Sequence, residues 1–166
     1  MTTAKPKATQ PPLEHRPELV AALRAIFEEN VPYNKALGLR VTSFDPRAPR
    51  IRFDMQPRMV GNFMRGILHG GVISAALDVA CGLGAMLSVI EKHLENDEPV
   101  ETQVGRFSRI GTIDLRVDYL RPGTGAWFEA RTEVMRSGSR VAVIRSDLYN
   151  DDEALIASAV AAYTVG

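Results

Sequence analysis

The sequence predicts an α+β fold in which one long buried helix packs against an antiparallel sheet of about six strands. Residues 67–90 are almost all small or apolar, and Asp78 is the only carboxylate among them. From Thr112 onward, apolar and polar residues alternate with a period of two, which is typical of half-buried strands. The connections between these strands are short enough for an antiparallel meander. These patterns place a core helix beside a sheet.

The first segments are a tail and a helix. We expect a disordered tail over residues 1–16, because this region is rich in proline and poor in apolar side chains. Residues 17–166 are expected to form a single domain, since a chain of this length supports one good core. Pro17 suits a first helical position, and apolar residues recur at helical spacing until Asn30 and Pro32. This pattern predicts a short amphipathic helix.

Two strands and a loop are predicted next. The strands are expected over 37–44 and 50–56, with a turn near Asp45 between them, because the second segment alternates apolar and charged residues. A loop over 57–68 then leads to the long helix.

The long helix has an apolar length that would also suit a transmembrane span. Asp78 near its centre argues against a membrane, because a carboxylate at mid-bilayer is costly. One helix face is bulky and the other is small, and the small face would let a helix, a sheet or a thin ligand approach closely. The polar connection over 91–109 is long, so we expect it to carry a short helix or to act as a lid.

Four further strands complete the predicted sheet. The first begins at Thr112, and its alternation places that threonine on the polar side of the strand. The other three are predicted over 126–135, 141–149 and 154–165, because turn-forming residues separate these segments.

Composition excludes several functional classes. Twenty basic and 20 acidic side chains cancel, so no net field favours nucleic acid or an anionic membrane. Cys81 is the single cysteine, which excludes an internal disulfide, and the three histidines are too far apart for a recognised metal motif. We therefore expect a cytoplasmic protein with no nucleic-acid or membrane partner and no metal.

Two features of the long helix could support catalysis. Gly70 and Gly71 leave backbone N–H groups bare at its start, where an oxyanion or a polarised carbonyl would be stabilised. Asp78 is a candidate base, because a carboxylate in apolar surroundings is costly without a partner or a function. At 1.5 Å per residue, Asp78 and Gly70 are about 12 Å apart along one helix. If both act on one group, they must come from two antiparallel copies in a homodimer.

A family resemblance rests on one group of residues: Asn62, Gly66, Leu68, His69, Gly70, Gly71, Asp78 and the strand at 111–122. This combination resembles the hotdog-fold acyl-CoA thioesterases of the phenylacetate-pathway (PaaI) type, and the likeness covers 31–166. The same strand, together with the segments 57–61 and 163–166, is further similar to the YigI-like bacterial subgroup, whose members act on medium- and long-chain acyl-CoA.

The resemblance implies a hotdog fold and a homodimer or dimer of dimers, with coenzyme A entering only as part of the substrate. It implies that the Gly70 amide polarises the thioester carbonyl while Asp78 of the partner subunit acts as general base or nucleophile. A hydroxyl at Thr112 would orient the water. Asn62 would position the substrate, although it stands seven residues before His69 where six is the commoner spacing.

Structural roles are open for several of these residues. Asp78 could instead pair with Arg116, and His69 fits a residue that fixes the helix start better than it fits an acid or base. Ser74 lies four residues before Asp78, but no G-x-S-x-G turn surrounds it, so a serine triad is not predicted. Candidates for holding coenzyme A are Gly71, Arg121, Arg136 and Arg140, because arginine binds phosphate bidentately.

The predicted function is hydrolysis of a fatty or aryl acyl-CoA to a free acid and coenzyme A. Two alternatives stay open on the same residues. One is a non-catalytic acyl-CoA sensor, and the other is an enoyl-CoA hydratase or dehydratase.

Overall fold

The computed structural model describes residues 13–94 and 98–166. Its α-helices are α1 (Pro17–Arg24), α2 (Pro32–Leu37), α3 (Gly70–His93) and α4 (Val100–Gly105). Its strands are β1 (Arg40–Ser43), β2 (Arg50–Asp54), β3 (Val60–Asn62), β4 (Ile67–Leu68), β5 (Gly111–Tyr119), β6 (Trp127–Ser137), β7 (Val141–Asn150) and β8 (Leu155–Thr164).

Six strands form one antiparallel sheet in the order β1-β2-β6-β7-β8-β5, and α3 lies across it. The strands β3 and β4 form a separate hairpin just before α3. The predicted architecture, a long central helix on a six-stranded antiparallel sheet, is confirmed. The hairpin was not predicted, because its two strands are too short to show a periodic pattern.

The start of the chain differs from the sequence prediction in two places. Residues 1–12 of the predicted tail lie outside the described residues, whereas Leu13–His15 forms a 3₁₀ turn and Leu13 is buried. Pro32 does not only end the first helix but begins α2, which Gly38 closes with a positive φ of 67°. The predicted strand over 37–44 is therefore shorter and begins at Arg40. Proline at a helix start and glycine after its end are favourable for this geometry.

The helix α1 continues directly as a π-helical segment, Ala25–Asn30. The N–H of Val31 donates to the carbonyl of Ile26, and the side-chain amide of Asn34 donates to the carbonyl of Phe27 at 3.0 Å. This second bond satisfies a carbonyl that the wider π turn would leave free. Phe27 is thereby held over the core.

Helix α3 is the one described helix that is long and apolar enough to cross a bilayer, and 72% of its most apolar window is buried inside the protein. It packs on the sheet through Gly84, whose Cα faces the methyl groups of Thr132 and Ile144. The residues Cys81 and Ala85 lie in the same contact. Part of the predicted small face therefore meets the sheet, as expected for a helix that is buried in a protein core.

The strand β5 lies at the edge of the sheet, bonded to β8 on one side only. Most of its residues are exposed, including Ile113 and Tyr119, whereas the alternation predicted a half-buried strand. The apolar residues are present as predicted, but no part of the described chain covers this edge. An exposed apolar edge strand is a surface that proteins usually pair or cover.

The connection over 91–109 contains a short helix, which is one of the two forms expected for it. Helix α4 is followed by a 3₁₀ turn over Arg106–Arg109, while residues 95–97 lie outside the description. The Phe107 ring in this turn meets the Phe27 ring edge to face, with centroids 5.6 Å apart. The connection therefore packs onto the N-terminal helical segment, residues 17–37, which comprises α1, the π-helical segment and α2.

Two glycines of α3 provide a matched test of this packing. In Gly84→Ala, the new Cβ would lie 2.9 Å from the Thr132 methyl, which cannot turn away easily because its hydroxyl bonds Ser146. We expect this change to lower the free energy of unfolding, since overpacking typically costs about 1–3 kcal/mol.

The control is Gly82→Ala, where the nearest atom to the new Cβ is 3.6 Å away on the Tyr163 ring. This contact is ordinary, so the variant should gain about 0.5–1 kcal/mol from the removal of a helical glycine. Denaturant titration of both variants measures the difference. Equal stability of the two variants would contradict this account of helix packing.

Candidate active site

Asp78 lies on α3 at a point where three side chains from different elements meet. Thr112 on β5 donates its hydroxyl to Asp78 Oδ1 at 3.0 Å, and the Tyr163 hydroxyl on β8 lies 2.5 Å from the same oxygen. The Tyr163 hydroxyl also lies 2.6 Å from the Asp78 backbone carbonyl. Oδ2 has no hydrogen-bond partner in the part of the chain that the structure describes. One carboxylate oxygen is thus fixed and the other is available.

A β-bulge brings Thr112 to this position. The register between β5 and β8 shifts between Thr112 and Asp114, so Ile113 is an extra residue on β5. Sequence alternation placed Thr112 on the side of the strand opposite to Leu115, and this prediction is wrong. Because a bulge changes the alternation of side chains locally, Thr112 points to α3. Bulges often re-aim side chains beside active sites.

Tyr163 is the site residue that sequence analysis missed. It is separated from Asp78 by 85 positions and lies in a strand where an aromatic residue is unremarkable. Its register pairing with Thr112 puts both hydroxyls on the same side of adjacent strands. Burial, and next the hydrogen bond to Asp78, raise the pKa of the Tyr163 hydroxyl, so it stays protonated and remains a donor at neutral pH.

The start of α3 is built around His69. This residue is the N-cap, and its Nδ1 accepts the N–H of Gly71 at 2.8 Å. The ring therefore fixes the helix start, and the Gly71 amide is already used rather than free for coenzyme A. Gly61 lets the β3-β4 hairpin approach, since a Cβ there would lie 2.7 Å from the His69 Cα.

Gly70 provides the free amide of this helix start. As the first helical residue it has no intrahelical acceptor for its N–H, and no acceptor is found for it among the described residues. The Tyr119 hydroxyl donates to the Gly70 carbonyl at 3.2 Å, which holds the next peptide, between Gly70 and Gly71. An N–H at a helix N-terminus suits a developing negative charge.

Asn62 is exposed at the end of β3, and its Oδ1 accepts the N–H of Met64 at 3.1 Å. This bond shapes the hairpin turn. The structure does not bring Asn62 against Asp78, and its predicted substrate contact stays a prediction.

The three arginines predicted to hold coenzyme A do not lie close together within one protomer. Arg121 follows β5 at the Gly70 end of the sheet and donates to the Leu155 carbonyl, whereas Arg136 and Arg140 flank the β6-β7 turn at the opposite end. All three are exposed, and the ends of a ten-residue strand are about 30 Å apart. A single phosphate site made of all three in one protomer is therefore excluded by the fold. Arg116 forms its ion pair with Asp118 and not with Asp78.

Two depressions meet at Asp78 and Thr112. One is a cavity of about 280 Å³ beneath the N-terminal helical segment, and Tyr163 also lines it. The other is a shallower depression between α3 and β5, of about 310 Å³, lined by Ser74 and Leu115. The part of the small helix face that does not meet the sheet forms this second depression. Asp78 is therefore reachable from two sides.

The site has few groups suited to a metal. Within residues 13–94 and 98–166, no cluster of three or more histidine, cysteine, aspartate or glutamate side chains is brought together. Cys81 lies one turn after Asp78 and is fully buried. Burial, and next the charge of Asp78, raise the pKa of its thiol to about 12. Cys81 therefore stays a protonated core side chain.

Comparison with known proteins agrees with this architecture. The sequence model of the thioesterase superfamily matches residues 65–157, which is more than half of the chain. The chain is 48% identical over 141 residues to the medium/long-chain acyl-CoA thioesterase YigI of Salmonella typhimurium, covering 85% of this chain and 90% of that protein. The corresponding Escherichia coli protein is 47% identical over the same shares.

A solved structure agrees as well. A crystal structure from Shewanella oneidensis, described as related to the thioesterase superfamily, superposes with a TM-score of 0.84 at 36% identity, covering 92% of this chain and 98% of that one. This chain belongs to the thioesterase superfamily, and the family resemblance predicted from its motifs is confirmed.

The buried thiol provides a test of the site's environment. Because the pKa of Cys81 is about 12, a thiol reagent at pH 8 should label the native protein far more slowly than the protein unfolded in guanidinium, where the pKa returns to about 8.5. The labelling rate in the two states, read by absorbance or mass spectrometry, measures this. Equally fast labelling of both states would show that Cys81 is accessible and ionisable.

Proposed function

We propose that this protein is an acyl-CoA thioesterase that hydrolyses medium- or long-chain fatty acyl-CoA, with aryl acyl-CoA as a further substrate class. The observation that carries the proposal is the Asp78 carboxylate, which two hydroxyl donors hold by one oxygen while the other is available. The names of the two relatives at 47–48% identity support the substrate class. The reaction consumes one water and releases a carboxylic acid and coenzyme A.

In the proposed mechanism, the free oxygen of Asp78 accepts a proton from water, whose oxygen attacks the thioester carbonyl carbon. Thr112, beside Asp78, orients this water. Negative charge develops on the carbonyl oxygen, where a Gly70 N–H stabilises it. The C–S bond then breaks, and the leaving thiolate takes up the proton that Asp78 accepted from the water, so that the carboxylate is regenerated. Direct attack by the carboxylate oxygen on the same carbon is the alternative first step.

The two groups must come from different protomers. Along one helix the Gly70 and Asp78 positions are about 12 Å apart, too far for one carbonyl and its attacking water. In an isologous dimer that pairs the exposed β5 edges, the α3 helices would run antiparallel, so each Gly70 would approach the partner's Asp78. The exposed apolar residues on β5 and the shallow depression beside it support this dimer as the minimum active unit. Assembly into a dimer of dimers, and a cytoplasmic location, extend the proposal.

Arg121 is the arginine best placed for coenzyme A in this arrangement. It lies at the same end of the sheet as Gly70, where the carbonyl is proposed to bind. Arg136 and Arg140 would reach a phosphate only from another subunit.

Asp78→Asn tests the proposed base directly. The amide keeps the shape and can still accept from Thr112 and Tyr163, so folding should be retained. The kcat on an acyl-CoA should fall by about 10²–10⁴-fold, the usual contribution of a general base. Release of free thiol from acetyl-, octanoyl-, palmitoyl- and benzoyl-CoA measures it.

This panel also separates the alternatives. Near-normal hydrolysis by Asp78→Asn would remove Asp78 from the mechanism. If the wild-type protein binds acyl-CoA by calorimetry but releases no thiol from any member, the sensor hypothesis replaces the enzyme. Hydration of an enoyl-CoA without thiol release would favour a hydratase.

Gly70→Pro tests the amide, because proline removes this N–H without disturbing the helix start. His69 has φ −67° and ψ 135°, which suits a residue before proline, and a Cβ at position 70 would lie 3.5 Å from the nearest Tyr119 atom. The kcat should fall by about 10²–10³-fold, as for loss of one oxyanion donor. The matched variant Gly70→Ala keeps the N–H and should lose far less.

Mixing the two inactive variants tests the shared site. After subunit exchange of Gly70→Pro with Asp78→Asn, about half of the dimers are mixed and each carries one intact site, so about a quarter of wild-type activity should return. A mixture no more active than the separate variants would place both groups in one chain.

A further inference from the structure

The more enclosed cavity at Asp78, beneath the N-terminal helical segment, has an apolar interior and a polar end. Asp78, Thr112 and Tyr163 line one end, while Val79, Phe107 and Ile110 are among the residues that line the rest. Its volume of about 280 Å³ lies near the lower end of the range of roughly 300–1,000 Å³ typical of small-molecule sites. A narrow hydrocarbon with one polar end fits this distribution of side chains.

The cavity and the shallow depression share Asp78 and Thr112. A molecule whose reactive carbonyl lies at Asp78 can therefore extend in two directions from it. The shallow depression beside β5 faces the proposed dimer edge, where a partner's Gly70 would approach. The cavity leads away from that edge, under the N-terminal helical segment of the same protomer.

The Phe27 and Phe107 rings form one wall of this cavity. They meet edge to face at 5.6 Å with an interplanar angle of 77°, a preferred geometry for aromatic pairs. Phe27 is 4% exposed and lies on the π-helical segment, where Asn34 holds its carbonyl. Phe107 lies on the turn that closes the connection from α3. Single-turn π-helices occur frequently at functional sites.

Neither phenylalanine of this wall lies on α3 or on a strand of the sheet. The family match covers 65–157, and Phe27 lies well outside it. Phe107 lies within that span, but on the connection between α3 and β5 rather than on either element. A wall built from segments outside the common core can differ between relatives while the chemistry at Asp78 stays the same.

We propose that the acyl chain of the substrate occupies this cavity in the protomer that supplies Asp78, and that the Phe27–Phe107 pair is the wall that limits its length. This inference rests on the proposed thioesterase function and adds the determinant of chain length. Each methylene that enters an apolar site improves binding by about fourfold, so a wall that stops the chain sets the preferred length. Neither phenylalanine touches the reacting atoms, and both are specificity-determining residues.

The experiment measures kcat/KM of the full-length protein on saturated acyl-CoA from butyryl to stearoyl. In Phe107→Ala, the longest chains should gain in kcat/KM by about fourfold for each methylene admitted beyond the wild-type optimum. The kcat on butyryl-CoA should change little, because a short chain does not reach the wall. Phe27→Leu should shift the preference in the same direction and keeps most of the buried volume, so it remains folded if the alanine variant at 107 does not.

Two further variants sharpen the test. Val79→Phe adds bulk inside the cavity and should move the preference to shorter chains, which general destabilisation would not do. Phe44→Leu is the matched control: Phe44 is also a buried phenylalanine, stacked under the Arg24 guanidinium, but it does not line the cavity. Its chain-length profile should equal that of the wild type.

The outcomes distinguish this inference from the function on which it rests. If the wild-type protein cleaves no acyl-CoA, the proposed function fails and the inference fails with it. If the wild type is active but Phe107→Ala, Phe27→Leu and Val79→Phe all keep its chain-length profile, the proposed thioesterase function is retained. The proposal that the Phe27–Phe107 pair limits the chain length is then wrong. A shift of the preference to longer chains in Phe107→Ala and Phe27→Leu, together with a shift to shorter chains in Val79→Phe, establishes the inference.

Discussion

The hydrogen bonds that join Asp78 to Thr112 and Tyr163 hold the centre of this protein together. A carboxylate on a largely buried helix is costly unless donors compensate for the water it loses. Here the donors come from two adjacent strands, so the bonds also tie α3 to β5 and β8. Small side chains let the helix come close enough for this, above all at Gly84 against Thr132 and Ile144. The same close approach therefore serves the fold and positions the candidate base.

The proposed shared site follows from the geometry of a straight helix. The free amide is at its first residue and the carboxylate is two turns further on, so a single copy separates them. A two-fold symmetric dimer could bring the two groups together through the exposed edge strand β5. Pairing two β5 edges would place the two α3 helices antiparallel and side by side. Stability of the assembly and completion of the site would then depend on the same surface.

One wall of the proposed acyl cavity is formed in part by a residue outside the region that matches the family model. Helix α3 with Asp78 and the strands β5, β6 and β7 lie within the matched region 65–157, while Phe27 reaches the cavity from the N-terminal segment. In the proposed function, this arrangement would separate the residues that carry the chemistry from those that set the chain length. A substitution at Phe27 would then change which acyl chain fits without moving the Asp78 carboxylate or its donors.

Much of the fold could be predicted from local patterns. The apolar run of α3, the alternation of β5 to β8 and the proline and glycine positions are properties of neighbouring residues, so they are visible in the chain itself. Gly70 and Asp78 were identified for the same reason, since a helix start and a lone carboxylate are local signals. Tyr163 was not identified, because its role depends on a contact across 85 positions. Thr112 was identified but placed on the wrong side, because one extra residue in β5 changes the alternation.

The sequence by itself determined the class of fold, the order of its main elements and the helix that carries Asp78 and Gly70, and it led to the hypothesis that a second copy unites these two groups. The tertiary structure decided which hydroxyls hold the carboxylate, which amide at the helix start is still free, where the arginines lie, and how Phe27 meets Phe107. The physical reason is range: periodicity, capping and helical rise act over a few residues, whereas bulges, register and packing decide which distant side chains touch.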